Sequence, residues 1–261
     1  MLKVLTDMFF DEYVNSLESN WFSGSEQLHS KINFSKEDFE FYIQSSATYS
    51  SNIEGNSIDI DTFLKNKLFK VRSKPKEMKK IDDLINAYNF AMENKLNKTA
   101  FLESHKLLSK TILSLKSQKG KLRNQQVGIF SNGKLEYMAV EPEFVEEEFS
   151  KLFFDIEFLL NYTLSTPETF YYASMIHLIF EKIHPFMDGN GRAGRLLEKW
   201  FLSQKIGDSA WSIQSEKYYL KNRSQYYENI HIGLNYYSLK MEKCIPFLLM
   251  LPNALNYEKR I

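Results

Sequence analysis

Twelve consecutive residues, His184-Pro185-Phe186-Met187-Asp188-Gly189-Asn190-Gly191-Arg192-Ala193-Gly194-Arg195, carry the groups that phosphorus chemistry needs. His184, with an unperturbed pKa of about 6.5, can be neutral at working pH and accept a proton. Asp188 offers a hard oxygen of the kind that Mg²⁺ takes alongside substrate phosphates. Gly189 and Gly191 lack a Cβ, so the backbone around Asn190 can turn tightly and aim successive N–H groups at one point. Leu196, Leu197, Trp200 and Phe201 have helical spacing, so a helix begins near Gly191 and Arg192. Its N-terminus is an electropositive site for an anion such as phosphate. Arg192 and Arg195 share one face of that first turn and can fork onto phosphoryl oxygens. Singly, His184, Asp188 and Arg195 read as ordinary structural residues. Together each fills a separate requirement of one reaction, transfer of a phosphorus-containing group to a hydroxyl.

The chain around this turn reads as mainly helical. Thr166-Pro167-Glu168 has the form of an N-cap with proline at the first helical position. Tyr172, Ala173, Ile176, Ile179, Phe180 and Ile183 then recur at helical spacing. The pattern predicts a helix over 167–183 that delivers His184 at its end, where Pro185 discourages continuation, and a second helix over 192–204. Phe186 is the expected apolar anchor of the loop, and His177 lies off the stripe without a metal partner at ligand spacing. Upstream, Ser35-Lys36-Glu37-Asp38 resembles a capping box opening a helix, with Gly55 as its stop. Further helices are predicted over 81–92, over 102–115 with His105 as a packed residue, and from Glu141-Pro142 through Ile156. The one strand signal is a hairpin, 125–130 and 134–140 around Ser131-Asn132-Gly133. A single hairpin cannot build a core sheet, so it reads as a connector. The tyrosine pairs at 218–219, 226–227 and 236–237 are expected to pack a last helix rather than stack on a base.

Composition narrows the class. The 261 residues are 43% apolar and 15% aromatic, enough for a substantial core. Lys plus Arg and Asp plus Glu balance at 33 each, so no global field draws the protein to nucleic acid or an anionic membrane. The basic run over 65–80 reads as a solvated loop and helix start, because aromatic platforms are not interleaved with it. One cysteine, Cys244, excludes an internal disulfide and fits a cytoplasmic protein. The N-terminus does not read as a signal peptide, and no apolar run approaches the roughly 18 residues of a membrane span. A P-loop, Gly-x-x-x-x-Gly-Lys-(Ser/Thr), is not found, which argues against that class of NTPase.

The central run resembles the signature of the Fic family, His-x-Phe-x-(Asp/Glu)-Gly-Asn-(Gly/Lys)-Arg-x-x-Arg, and matches it at every specified position. The resemblance covers roughly residues 35–240. It implies a helical bundle with one hairpin beside the site, over 35–261, preceded by a helical segment over 1–34 of unassigned role. A winged-helix DNA-binding domain, which relatives often append, is not expected after position 240. The resemblance also implies a protein adenylyltransferase moving AMP from ATP, with Mg²⁺, to a Ser, Thr or Tyr hydroxyl of a target protein and of itself. His184 would be the base, Asp188 the metal ligand, and Gly189, Asn190, Gly191, Arg192 and Arg195 the phosphate cradle, with Arg195 on the γ-phosphate. The hairpin would be the flap that holds the target by main-chain pairing, through Gln125, Gln126, Val127, Gly128 and Ile129. Ser50-Ser51-Asn52-Ile53-Glu54-Gly55 resembles the family's inhibitory motif, (Ser/Thr)-x-x-x-Glu-(Gly/Asn), at Ser50, Glu54 and Gly55. In that reading a helix over about 35–56 brings Glu54 to Arg195, where it competes with the γ-phosphate.

Other readings stay open at this point. Glu54 could position a water that removes AMP, making the chain a de-AMPylase or a bifunctional enzyme. Relatives that transfer phosphate typically carry Lys where Gly191 stands, which favours AMP transfer here. From a different class, the site could belong to a non-catalytic nucleotide-sensing module, although a binder has no need of a base beside the α-phosphate. The expected partners are ATP, a target protein that the sequence does not name, and a second copy of the chain, since relatives often form dimers.

Overall fold

The computed structural model describes residues 1–18, 21, 35–69, 75–131 and 133–257. Twelve α-helices run through these residues in the order α1 (Phe10–Asn15), α2 (Lys36–Ile53), α3 (Ile60–Leu68), α4 (Lys76–Glu93), α5 (Lys98–Leu108), α6 (Val145–Leu160), α7 (Thr166–Ile183), α8 (Asn190–Ile206), α9 (Ser215–Lys221), α10 (Arg223–Ile230), α11 (Ile245–Leu248) and α12 (Met250–Tyr257). Between α5 and α6 the strands β1 (Gly128–Ser131) and β2 (Lys134–Met138) form an antiparallel hairpin with a register shift between Ile129 and Phe130. The strands are shorter than the alternation suggested, and Asn132 at the turn lies outside the described residues, as do most of 19–34 and 70–74 of the basic run.

The core is built around α7. Every residue from Thr169 to Ile183 is buried, so this helix is enclosed on all sides rather than apolar along one stripe. Its N-cap is Ser165, one residue before the expected Thr166, because Ser165 and Glu168 close a reciprocal capping box. Phe101, Phe149, Phe153, Phe180 and Phe186 form an aromatic cluster under the His184 loop, with Phe101 edge-on to Phe180 at 5.4 Å. α5 ends at Leu108, well short of 115. The apolar spacing continues beyond it, but Thr111 donates its N–H to Asp83 of α4 and the chain turns there.

Two other contacts escape an apolar-pattern reading. Besides the apolar Ile43, Ala47 and Ile53, α2 buries a polar face of Ser45, Ser46, Thr48, Ser50 and Ser51. That face lies on the cations of α8, where Ser46 accepts from Lys199 Nζ at 2.7 Å. The N-terminal segment is held by Asp155 of α6, whose carboxylate accepts the N–H groups of Lys3, Val4 and Leu5. No helix among the described residues is long and apolar enough to cross a membrane.

Candidate active site

α7 and α8 frame the loop 184–189. His184 closes α7 in the left-handed region, φ 50°, ψ 60°, the one non-glycine residue with positive φ among those described. The following proline opposes a further helical turn. Gly189, φ 86°, then starts α8, and a Cβ there would press on Leu108 and on His105 Nε2 at 3.4 Å. Asn190 braces the loop from inside: its Oδ1 accepts from Phe186 N, and its Nδ2 donates to Phe186 O, both at 2.9 Å. The side chain expected to touch phosphate is therefore committed to the protein, and Asn190 can offer an anion only its backbone. The first-turn N–H groups of α8 have no acceptor within the helix, and they supply the electropositive end.

His184 is 17% exposed, and its Nδ1 has no hydrogen-bond partner, with Glu181 Oε2 at 3.8 Å. Burial, reinforced by the Arg123 and Lys182 charges, lowers its pKa to about 4, so the imidazole is neutral at pH 7. Burial likewise raises Glu181 to about 7. Asp188 is half exposed, accepts from Gly189 N at 2.6 Å, and stands 3.5 Å from Arg192.

Arg195 is fully buried and uses every face of its guanidinium. Nε donates to Ser50 Oγ at 2.9 Å, and one terminal nitrogen donates to Ser50 O at 3.0 Å and Glu54 Oε1 at 2.8 Å. The other donates to the Tyr226 hydroxyl at 3.2 Å. Behind Tyr226 the donor order continues: Tyr226 O–H faces His177 Nε2 at 3.1 Å, and His177 Nδ1 faces Glu198 at 2.8 Å. With a proton on Nδ1, this tautomer satisfies every group in the chain. Burial pushes the Glu54 carboxyl up, but the Arg195 and Arg192 charges outweigh it and hold it below the usual carboxylate range. Gly191 is needed for this approach, since a Cβ there would run into Glu54 Oε1. Gly55, φ 86°, ends the helix that presents Glu54.

A cavity of about 850 Å³ opens in front of these groups. Glu54, Glu181, His184, Gly191 and Arg195 line its floor, Ile129 and Phe130 of the hairpin one wall, and Arg223 and Tyr227 another. Asp188 and Arg192 are not among its lining residues; they lie side by side next to it. Of the five hairpin residues expected to hold a target, Ile129 lines the cavity, whereas Gln126 donates to Ala139 O and Val127 O accepts from Ala139 N, closing the base of the hairpin. Gln125 O accepts from Arg123, and Gly128 pairs with Met138.

Sequence reasoning missed four contributors. His105 does pack, stacked on Phe186 at 3.5 Å, but its Nε2 also bonds Asp188 O at 3.0 Å and so tethers the loop. His177 sits two helical turns before His184, a spacing that is the only hint that both serve one face. Tyr226 was read as packing; it does pack, and it also touches Arg195. Arg123 gave no signal at all.

Residues 95–202 match the model of the Fic/DOC family. A Fic family protein from Desulfovibrio desulfuricans G20 superposes with a TM-score of 0.77 at 20% identity, over 100% of this chain and 75% of that one. A Fic domain-containing signaling protein from Bacteroides thetaiotaomicron VPI-5482 does so with a TM-score of 0.69 at 18% identity, over 91% and 92%. Fic-1 from C. elegans gives 0.61 at 16%, over 97% and 68%. The chain thus carries a stretch of the Fic/DOC family over residues 95–202, within a fold that these Fic proteins share. The matched range holds the hairpin and the His184 loop, while Glu54 and Tyr226 lie outside it.

Proposed function

We propose that this protein transfers AMP from ATP to a Ser, Thr or Tyr hydroxyl of a target protein and of itself, and that Glu54 holds the activity down. The observation that carries the reading is the position of Arg195. Its guanidinium is bonded to Ser50 and Glu54 of one helix beside a cavity that also contains the neutral imidazole of His184. ATP would lay its phosphates against the first turn of α8, where backbone N–H groups, Arg192 and Arg195 offset their charge. The target hydroxyl oxygen attacks the α-phosphorus while its proton passes to His184. The bond to the bridging oxygen breaks and pyrophosphate leaves. A neutral His184 is the form that can take that proton.

Asp188 fits a Mg²⁺ that rides on the nucleotide. No cluster of three metal-ligating side chains exists among the described residues, and Mg²⁺ needs only one or two carboxylates plus phosphate and water. When bound, the ion neutralises charge on the phosphates. The hairpin beside the cavity would hold the target segment by main-chain pairing. Removal of AMP is a second reading, favoured by the 29% exposure of the Glu54 side chain on the same cavity, where it could orient a water. Incubating wild type, Glu54→Gly and His184→Ala with α-labelled ATP, magnesium and cell lysate tests both. Label in Glu54→Gly only supports gated transfer. Loss of label from a premodified target in wild type, absent in Glu54→Gly, supports removal. No label in any variant refutes the transfer.

A further inference from the structure

We infer that Arg123 is a positioning residue that clasps both ends of the hairpin to the backbone of His184, so that hairpin and imidazole move as one unit. Arg123 is 3% exposed, and all of the hydrogen bonds of its guanidinium go to main-chain carbonyls. Nε donates to His184 O at 2.8 Å, and one terminal nitrogen donates to Gln125 O at 2.9 Å. The other donates to Val140 O at 2.5 Å and Ile183 O at 3.3 Å. The Arg123 N–H adds a bond to Pro185 O at 2.9 Å. Gln125 is where the chain enters the hairpin, and Val140 is where it leaves. Ile183 and His184 end α7, whose last carbonyls have no helical partner.

The arrangement is unusual in its chemistry. A buried cation is costly unless it is paired, and among the described ion pairs none includes Arg123. The compensation is a set of four carbonyl dipoles, two of them at the negative end of α7. Only a planar fork with several fixed donors can span these three segments, so the site demands arginine rather than lysine. The strain at His184 points the same way. A non-glycine residue in the left-handed region is strained and persists where its surroundings over-determine it. Here the carbonyls of His184 and Pro185 are both fixed by Arg123. The charge also acts on the ring, whose other charged neighbours are Glu181 and Lys182 from α7 and Glu54 from the end of α2. The clasp stands on geometry alone; its value for catalysis rests on the function proposed above.

The test uses the full chain without ATP or target, so its outcome is independent of that function. Amide exchange is followed by mass spectrometry at 128–138 and at α4, and the His184 ring is titrated by NMR, for wild type, Arg123→Lys and Arg123→Met. Lysine keeps the charge but not the fork. Losing one or two charge-assisted bonds corresponds to hairpin exchange faster by about 10- to 100-fold, with α4 unchanged. The His184 midpoint stays at about 4 in Arg123→Lys and rises in Arg123→Met, which lacks the charge. Hairpin exchange in Arg123→Lys within about twofold of wild type, or acceleration spread equally over α4, overturns the inference. An unchanged His184 midpoint in a folded Arg123→Met does so too. If Arg123→Met does not fold, exchange in Arg123→Lys decides.

Discussion

Replacing Glu54 with glycine removes the one carboxylate bonded to Arg195 among the described residues. The bond is 2.8 Å long, between a guanidinium with no exposure and a carboxylate side chain that is 29% exposed. A charge-assisted hydrogen bond in such a setting contributes about 1.5–3 kcal/mol. The partial exposure of Glu54 argues for the middle of that range, about 2 kcal/mol, or roughly 30-fold in an equilibrium. Arg195 should keep its aim without Glu54, since Ser50 Oγ, Ser50 O and the Tyr226 hydroxyl still bind it. What changes is that its charge becomes available to the outer phosphate. The assay is the initial rate of AMP incorporation from α-labelled ATP at subsaturating nucleotide, beside calorimetric ATP affinity, with a Glu54→Gly/His184→Ala double variant as blank. Both quantities are expected to rise about 30-fold in Glu54→Gly. Glu54→Gln, which keeps the shape and an acceptor but not the charge, should fall between. Equal rates and equal affinities for wild type and Glu54→Gly would refute competition for one cation, and a Gln variant as restrained as wild type would make the block steric.

Gly191→Ala tests the same contact without any activity. It should cost about 1–3 kcal/mol in wild type through overpacking against Glu54, and clearly less in Glu54→Gly, as read by urea melts in a double-mutant cycle. Tyr226→Phe leaves His177 Nε2 and one Arg195 donor short of a partner; it should raise the KM for ATP about tenfold, with a smaller change in kcat. His184, lowered to about 4, favours the folded state when neutral. Its contribution is complete above about 6.5 and is lost as pH falls toward 4, so His184→Ala should lose about 3 kcal/mol less than wild type between pH 7 and 4 in chemical denaturation. Glu181, raised to about 7, has the opposite sign: its contribution is complete below about 4.5 and is lost as pH rises through 7. Glu181→Gln should therefore gain more stability than wild type over that interval in the same melts.

Much of the local architecture was legible in the chain. The helices on either side of the loop, the capping box at Ser35 and the hairpin at Gly133 all follow from spacing and turn chemistry that act over a few residues. The errors share one cause. The end of α5 at Leu108, the polar buried face of α2 and the complete enclosure of α7 are settled by neighbours, and apolar periodicity does not report neighbours. Asn190 illustrates the limit within the motif itself. Its residue type suits phosphate, but the turn bends it back onto Phe186.

The sequence by itself determined which chemical groups are available at 184–195, and that they form a tight turn before a helix, because a turn and a first helical turn are closed by contacts over four residues or fewer. Tertiary structure alone decided what those groups face. Glu54 reaches Arg195 across 141 positions, Tyr226 reaches it across 31, and Arg123 reaches His184 across 61. Contacts over such separations leave no periodic trace in a single chain. They exist because packing α2 and α10 against α8 removes water from one guanidinium, and a buried cation must then find its partners within the protein.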